Sequence, residues 1–172
     1  MSKRWLGGWS LSQGTFNVIR SILPDGKTIL ELGSGAGTQE LAKHYTMYSI
    51  ESNKKFVGKY NSNYIYAPIV KYDNNYTAPE ELPSKDGNTQ IGWYDYKIVT
   101  ANLPPKYDLI FVDGPTERIG RGGFYKHLNL FNTSVPIVID DVNRIGGKIL
   151  LKKVAECIKR EYSVKNEIGI IL

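Results

Sequence analysis

Apolar positions along this chain alternate between a helical and an extended rhythm. Residues 16–23 place Phe16, Val18, Ile19, Ile22 and Leu23 at helical spacing, and Pro24, Asp25 and Gly26 break the pattern. Residues 28–32 form a short apolar run that reads as a buried strand, with glycines at 33, 35 and 37 directly after it. The pattern then predicts a helix over 38–44, a strand over 47–51, a helix over 53–60 and a third strand over 67–72. Between 73 and 105 the rhythm is lost among polar residues and Pro79, Pro83, Pro104 and Pro105, with one extra strand or hairpin expected over 91–99. Segments of that length are usually functional or hide irregular structure. The rhythm returns in a strand over 107–112 that ends at Asp113, a helix over 125–131 and a strand over 136–139 that ends at Asp140 and Asp141. A helix over 147–162, with Ile149, Leu150, Val154 and Ile158 on one face, and a strand over 168–172 complete the pattern.

Strands of continuous apolar character, alternating with helices, imply a mostly parallel sheet covered on both faces. The expected class is therefore α/β with a Rossmann-like architecture. The chain has 172 residues, 41% hydrophobic and 23% charged, enough for one core without covalent staples. We expect a single domain over 1–172, with 1–23 as an N-terminal helical or substrate segment and 73–105 as an irregular insertion. Cys157 is the only cysteine, which excludes an internal disulfide and fits a reducing, cytoplasmic setting. No apolar run approaches the ~18 residues of a membrane span. The net charge of +5 fits a lysine-rich surface or an acidic substrate. No basic stripe with interleaved aromatics is read from the sequence, so a nucleic-acid partner is not expected. A homo-oligomer stays open.

The most specific signal is the segment TILELGSGAGT at 28–38. A strand enters a turn with Gly33, Ser34, Gly35 and Gly37, and a helix follows. Glycines let a ligand approach the main chain closely, and open α/β sheets bind ligands at strand carboxyl ends. A dinucleotide turn is spaced G-x-G-x-x-G; here the spacing is G-x-G-x-G, with Glu31 before it. Glu51 ends the next strand, where a carboxylate can accept two ribose hydroxyls. Asp73, at the end of the expected third strand, is a candidate to hold an adenine. On these residues the chain resembles the class I S-adenosylmethionine (SAM)-dependent methyltransferases. The resemblance implies SAM as cofactor, with Glu31 and the glycine turn near its amino-acid portion and Glu51 on its ribose.

Asp113, Asp140 and Asp141 end adjacent expected strands. Converging acids need a cation or protons to offset their repulsion. Two chemistries follow: a hard divalent ion such as Mg²⁺ on Asp113, Asp140 and Asp141, or one Asp as general base toward an acceptor hydroxyl. A structural role as helix caps competes with both. The placement of these acids is similar to the metal ligands of the catechol O-methyltransferase group, where the last ligand is usually Asn and here is Asp141. A nearer resemblance is to the plant glucuronoxylan 4-O-methyltransferases, carried by VDGPT at 112–116, Gly120-Arg121, DDVNR at 140–144 and Trp9-Ser10-Leu11. The departure is Asp140, where that family tends to have His. This resemblance implies O-methylation of a saccharide hydroxyl, with an acidic sugar in reach of Arg121 and Arg144, and Thr116 lining the acceptor pocket. Trp5, Trp9, Tyr94 and Tyr96 are candidates for an acceptor platform. His44 and His127 read as surface or helix residues. The competing functions are a metal-dependent phenol O-methyltransferase and a SAM- or nucleotide-binding protein without chemistry.

Overall fold

A computed structural model describes residues 11–80, 82 and 90–172. Trp5, Trp9, Ser10 and Pro83 lie outside the described residues. In chain order the elements are α1 (Gln13–Ile22), β1 (Thr28–Leu32), α2 (Ala36–Leu41), β2 (Thr46–Glu51), β3 (Asn63–Tyr66), β4 (Ile69–Lys71), β5 (Gly92–Tyr94), α3 (Tyr96–Asn102), β6 (Leu109–Val112), α4 (Gly122–Lys126), β7 (Ile137–Ile139), α5 (Ile145–Ile158), β8 (Tyr162–Lys165) and β9 (Ile168–Ile171). Seven strands form the main sheet in the order β3-β2-β1-β6-β7-β9-β8. β1 pairs in parallel with β2 on one side and with β6 on the other, so the order reverses at this point. Such a switch point leaves a crevice beyond the carboxyl ends of the two strands. β9 runs antiparallel to β7 and β8.

The central strands are apolar on both faces, and each face has its own core. Leu30, Leu32, Ile110 and Val112 face Trp93, Phe124, Leu150, Leu151 and Val154. Ile29, Met47, Leu109, Phe111 and Val138 face Val18, Ile19 and Leu41. Helices therefore cover both sides, as the apolar strands imply. α1 is started by Ser12, whose Oγ accepts from the Thr15 amide at 3.0 Å.

Four expectations need correction. The helix expected over 53–60 is a run of turns. The Phe56 and Lys59 amides donate three residues back, and Gly58 has φ +76°. A residue in that conformation ends a right-handed helix. The strand expected over 67–72 divides. The main sheet takes β3, before it, while β4 pairs antiparallel with β5 in a separate ribbon. Pro68, with no amide to donate, sits between the two. The helix expected over 147–162 stops at Ile158 because Lys159 adopts the left-handed conformation with φ 54°. Residues 162–165 are instead β8, an edge strand in which Tyr162 and Val164 alternate with Ser163 and Lys165 but every residue is exposed. Finally, the helix expected over 125–131 begins earlier, as α4, and continues as a 3-10 turn over Leu128–Leu130.

Candidate active site at the strand ends

The turn after β1 rests against the turn after β6. Gly33 has φ +88°, and a Cβ there would lie 2.9 Å from the Gly114 backbone. The two turns touch main chain to main chain, so only glycine fits both the conformation and the space. Gly37 has a different reason. A Cβ on it would lie 2.4 Å from the Leu11 Cβ, so it is needed for packing and not for ligand approach. The Gly35 amide donates to Thr38 Oγ1 at 3.1 Å, which shapes the start of α2.

Glu31 lies beneath this turn and not on its surface. It is 3% exposed. Its carboxyl accepts from Thr38 Oγ1 at 2.8 and 3.1 Å and from Ser49 Oγ at 2.6 Å. Burial pushes its pKa up to about 8, against the opposing effect of the Ser49 and Thr38 hydroxyls. The hydroxyls form a converging chain. Ser34 Oγ is 3.1 Å from Thr38 Oγ1 and 2.9 Å from the Tyr64 hydroxyl, and Ser62 Oγ is 2.7 Å from Ser49 Oγ. Glu31 thus braces the turn from beneath.

Glu51 ends β2 beside the same turn. Its Oε2 accepts from the Ser34 amide at 2.9 Å and its Oε1 from the Asn53 amide at 2.7 Å. Among the described residues no Lys or Arg pairs with it. Each carboxylate oxygen keeps lone-pair capacity for a ligand hydroxyl.

Across the seam, Asp113 follows β6 while Asp140 and Asp141 follow β7. One carboxylate oxygen from each can be chosen so that all lie within 4.8 Å of one another. Arg121 is already among them. Its Nη2 donates to Asp113 Oδ1 at 3.1 Å and to the Asp113 carbonyl at 2.6 Å. Its Nη1 donates to the Asp140 carbonyl at 2.9 Å, and its Nε to the Pro115 carbonyl at 3.3 Å. With the side chain 10% exposed and all three nitrogens engaged, no planar fork remains for a substrate carboxylate. Arg121 thus ties the ends of β6 and β7 together. Burial raises the Asp140 pKa, aided by the Asp141 charge and opposed by Arg121. Thr15 Oγ1, from α1, donates to Asp140 Oδ1 at 3.1 Å. Asp141 takes φ 58° and lies 3.3 Å from Arg144 Nη1.

The remaining expected residues fall outside this centre or into local pairs. Arg144 pairs with Glu117 as well as Asp141. Thr116 is exposed in a turn, its carbonyl accepting from the Ile119 and Gly120 amides. Asp73 is also exposed, and its Oδ1 accepts from the Asn75 and Tyr76 amides, both at 2.8 Å. It follows β4, not the third strand of the main sheet. Tyr94 is 1% exposed and belongs to the core, which removes it from an acceptor platform. His127 is neither a surface residue nor free. It stacks between Trp93 and Tyr96 at 5.1 and 4.8 Å, and its Nε2 meets the Tyr76 hydroxyl at 2.8 Å. Burial lowers its pKa to about 4. Sequence reasoning did not single out Thr38, Ser49 or Thr15. Their signal is a hydroxyl at a buried position, visible only once the elements are placed.

No family model and no curated protein matches the chain. Solved structures do match. A methyltransferase-like protein from Silicibacter pomeroyi superposes with TM-score 0.58 at 15% identity, over 95% of this chain and 87% of its own. A TehB-like SAM-dependent methyltransferase from Corynebacterium glutamicum gives TM-score 0.51 at 13% identity, covering 94% and 86%. MycE, a methyltransferase of the mycinamycin biosynthetic pathway in complex with Mg and SAH, gives 0.55 at 13% identity. The chain is covered over 96% in that match but spans only 49% of MycE. The fold is that of the Rossmann-like SAM-dependent methyltransferases.

Proposed function

We propose that this chain is a SAM-dependent methyltransferase acting on a hydroxyl, with a saccharide as acceptor class. The observation that carries the reading is the backbone seam between Gly33 and Gly114. On one side of it stands Glu51, held by amides and with no Lys or Arg partner among the described residues. On the other stand Asp113, Asp140 and Asp141. The residues fit SAM: Glu51 ends β2 beside the glycine turn at the switch point and offers acceptor capacity for ribose hydroxyls. When bound, SAM supplies an electrophilic methyl group on a positively charged sulfur. The chain's own contribution is to orient the acceptor. An Asp carboxylate of the cluster would accept the proton that the acceptor hydroxyl gives up on methylation. Arg121 fixes where those carboxylates stand. A second reading adds Mg²⁺, supported by three oxygen donors within 4.8 Å. Such an ion would be held by Asp113, Asp140 and Asp141 and would lower the pKa of a bound hydroxyl.

Calorimetric titration with SAM tests the proposal. Wild type and Asp113→Ala are expected to bind, while Glu51→Ala binds at least about tenfold more weakly, the scale of one lost charge-assisted hydrogen bond. No binding of SAM or its demethylated product by wild type would remove the reading. An increase in methyl transfer with Mg²⁺ that disappears in Asp141→Ala would favour the metal form.

A further inference from the structure

Beyond the strand-end centre, the surface between β2 and β3 carries a second kind of chemistry. Residues 53–66 contain Lys54, Lys55 and Lys59 and no acid, along with Phe56, Tyr60, Tyr64 and Tyr66. The run of turns over 54–59 brings rings and lysines side by side. The Phe56 and Tyr60 rings lie nearly parallel, with centroids 6.5 Å apart and planes at 21°. Lys59 Nζ stands 5.2 and 5.4 Å from the two ring centroids, and Lys54 Nζ stands 5.4 Å from that of Tyr66. All three lysines are exposed and all four rings are half-buried. No ion pair engages these lysines among the described residues. The patch continues to the glycine turn, because the Tyr64 hydroxyl accepts from the Tyr60 amide at 3.3 Å and meets Ser34 Oγ at 2.9 Å.

We propose that this patch binds single-stranded nucleic acid, with phosphates on Lys54, Lys55 and Lys59 and unpaired bases on Phe56 and Tyr60. Flat rings beside unpaired cations are the two parts of a sequence-tolerant single-strand surface. Lysine is a point charge that suits a phosphate from many directions. A uronate carboxylate is best matched by the planar fork of arginine, and this stretch has none. Charge alone could serve to protect the β3 edge from pairing. That role would not require the rings beneath the lysines.

The test is fluorescence anisotropy with a labelled oligouridylate of about 20 nucleotides, at about 50 and 200 mM salt. Wild type is expected to bind with strong salt dependence. K54E/K55E/K59E should lose at least about tenfold in affinity and flatten the log–log salt slope by about 2, from three lost phosphate contacts. Phe56→Ala should lose about fivefold or more while keeping the slope, because stacking is not ionic. Absence of binding by wild type, or equal binding by the charge-reversed variant, would overturn the inference. So would polygalacturonate competing as well as the RNA while Phe56→Ala has no effect. SAM affinity of the charge-reversed variant should match wild type. A chain that binds the oligonucleotide through these residues but not SAM keeps this inference and loses the methyltransferase reading.

Discussion

The two sides of the Gly33–Gly114 seam hold their carboxylates in opposite ways. On the β1–β2 side, Glu31 and Glu51 are held by neutral donors: hydroxyls of Thr38 and Ser49 for the first, amides of Ser34 and Asn53 for the second. On the β6–β7 side, Asp113 and Asp141 face the guanidinium groups of Arg121 and Arg144. Of the first pair only Glu51 keeps lone-pair capacity for a ligand beside the turn, whereas burial raises the Glu31 pKa to about 8 and leaves that carboxyl holding its proton near neutral pH. A carboxylate already opposed by arginine has its charge largely offset, and its value lies in position. The contrast assigns attraction to the first side and alignment to the second.

Arg121→Met is the largest test of this contrast. It removes the cation from a nearly closed site and leaves the Asp113 and Asp140 carbonyls and the Asp113 carboxylate without their donor. We expect a loss of about 1–3 kcal/mol in denaturant unfolding, the scale of leaving buried carbonyl acceptors without a donor, because Asp113 itself is 35% exposed and screened by solvent. Loss below about 1 kcal/mol, the range of exposed ion pairs, would show that the β6–β7 side does not depend on arginine for its shape.

That dependence was hidden in the sequence for a physical reason. Arg121 stood out as charged and near a glycine, which is equally the profile of a substrate contact. Only the meeting of two strand ends shows its donors directed at carbonyls. The sheet was more legible. Continuous apolar runs at 28–32, 47–51, 107–112 and 136–139 each locate a parallel strand to within about two residues, because burial on both faces leaves no room for polar alternation. β8 was invisible for the converse reason, being exposed along its whole length. The candidate site was half legible. The strand-end acids are where the pattern puts them, but whether an acid faces a ligand or the core depends on neighbours far away in sequence. Glu31 took the second course through Ser49, and Asp73 formed its own turn.

Glu31→Gln probes the neutral side through pH. The folded pKa of about 8 lies above the ordinary carboxyl value of 4.5. Above 4.5 the unfolded chain has released this proton while the folded chain still binds it. Stability is therefore complete below 4.5 and declines until the pH passes 8, with a slope approaching about −1.4 kcal/mol per pH unit from this group. The variant should flatten that decline in thermal or urea unfolding between pH 5 and 8. An unchanged slope would mean that Glu31 is already ionised across the range, and the neutral network would then hold a full charge.

Arg144→Ala returns to the charged side with a smaller expectation. Its side chain is 36% exposed, and its partners Glu117 and Asp141 remain partly solvated. Exposed pairs contribute about 0–1 kcal/mol, so stability should fall by no more than that. SAM affinity should be unchanged. A tenfold rise in acceptor KM with stable folding would separate Arg144 from Arg121 and return it to the acceptor.

Asp73→Asn carries the smallest expected effect and marks the outer limit of the neutral side. Asparagine keeps the side-chain oxygen that accepts from the Asn75 and Tyr76 amides, so the turn survives the substitution. Only the charge is lost, at an exposed position outside the main sheet. Stability should stay within about 0.5 kcal/mol, as for surface changes that leave local bonds intact. SAM affinity should stay within about twofold, because one shared hydrogen bond would be worth more than that. A tenfold loss of SAM affinity in calorimetry, with unfolding unchanged, would bring the β4 end against the cofactor. The attracting side would then reach from Glu51 across the ribbon, and charge at Asp73 would join the neutral-donor group that now ends at Glu51.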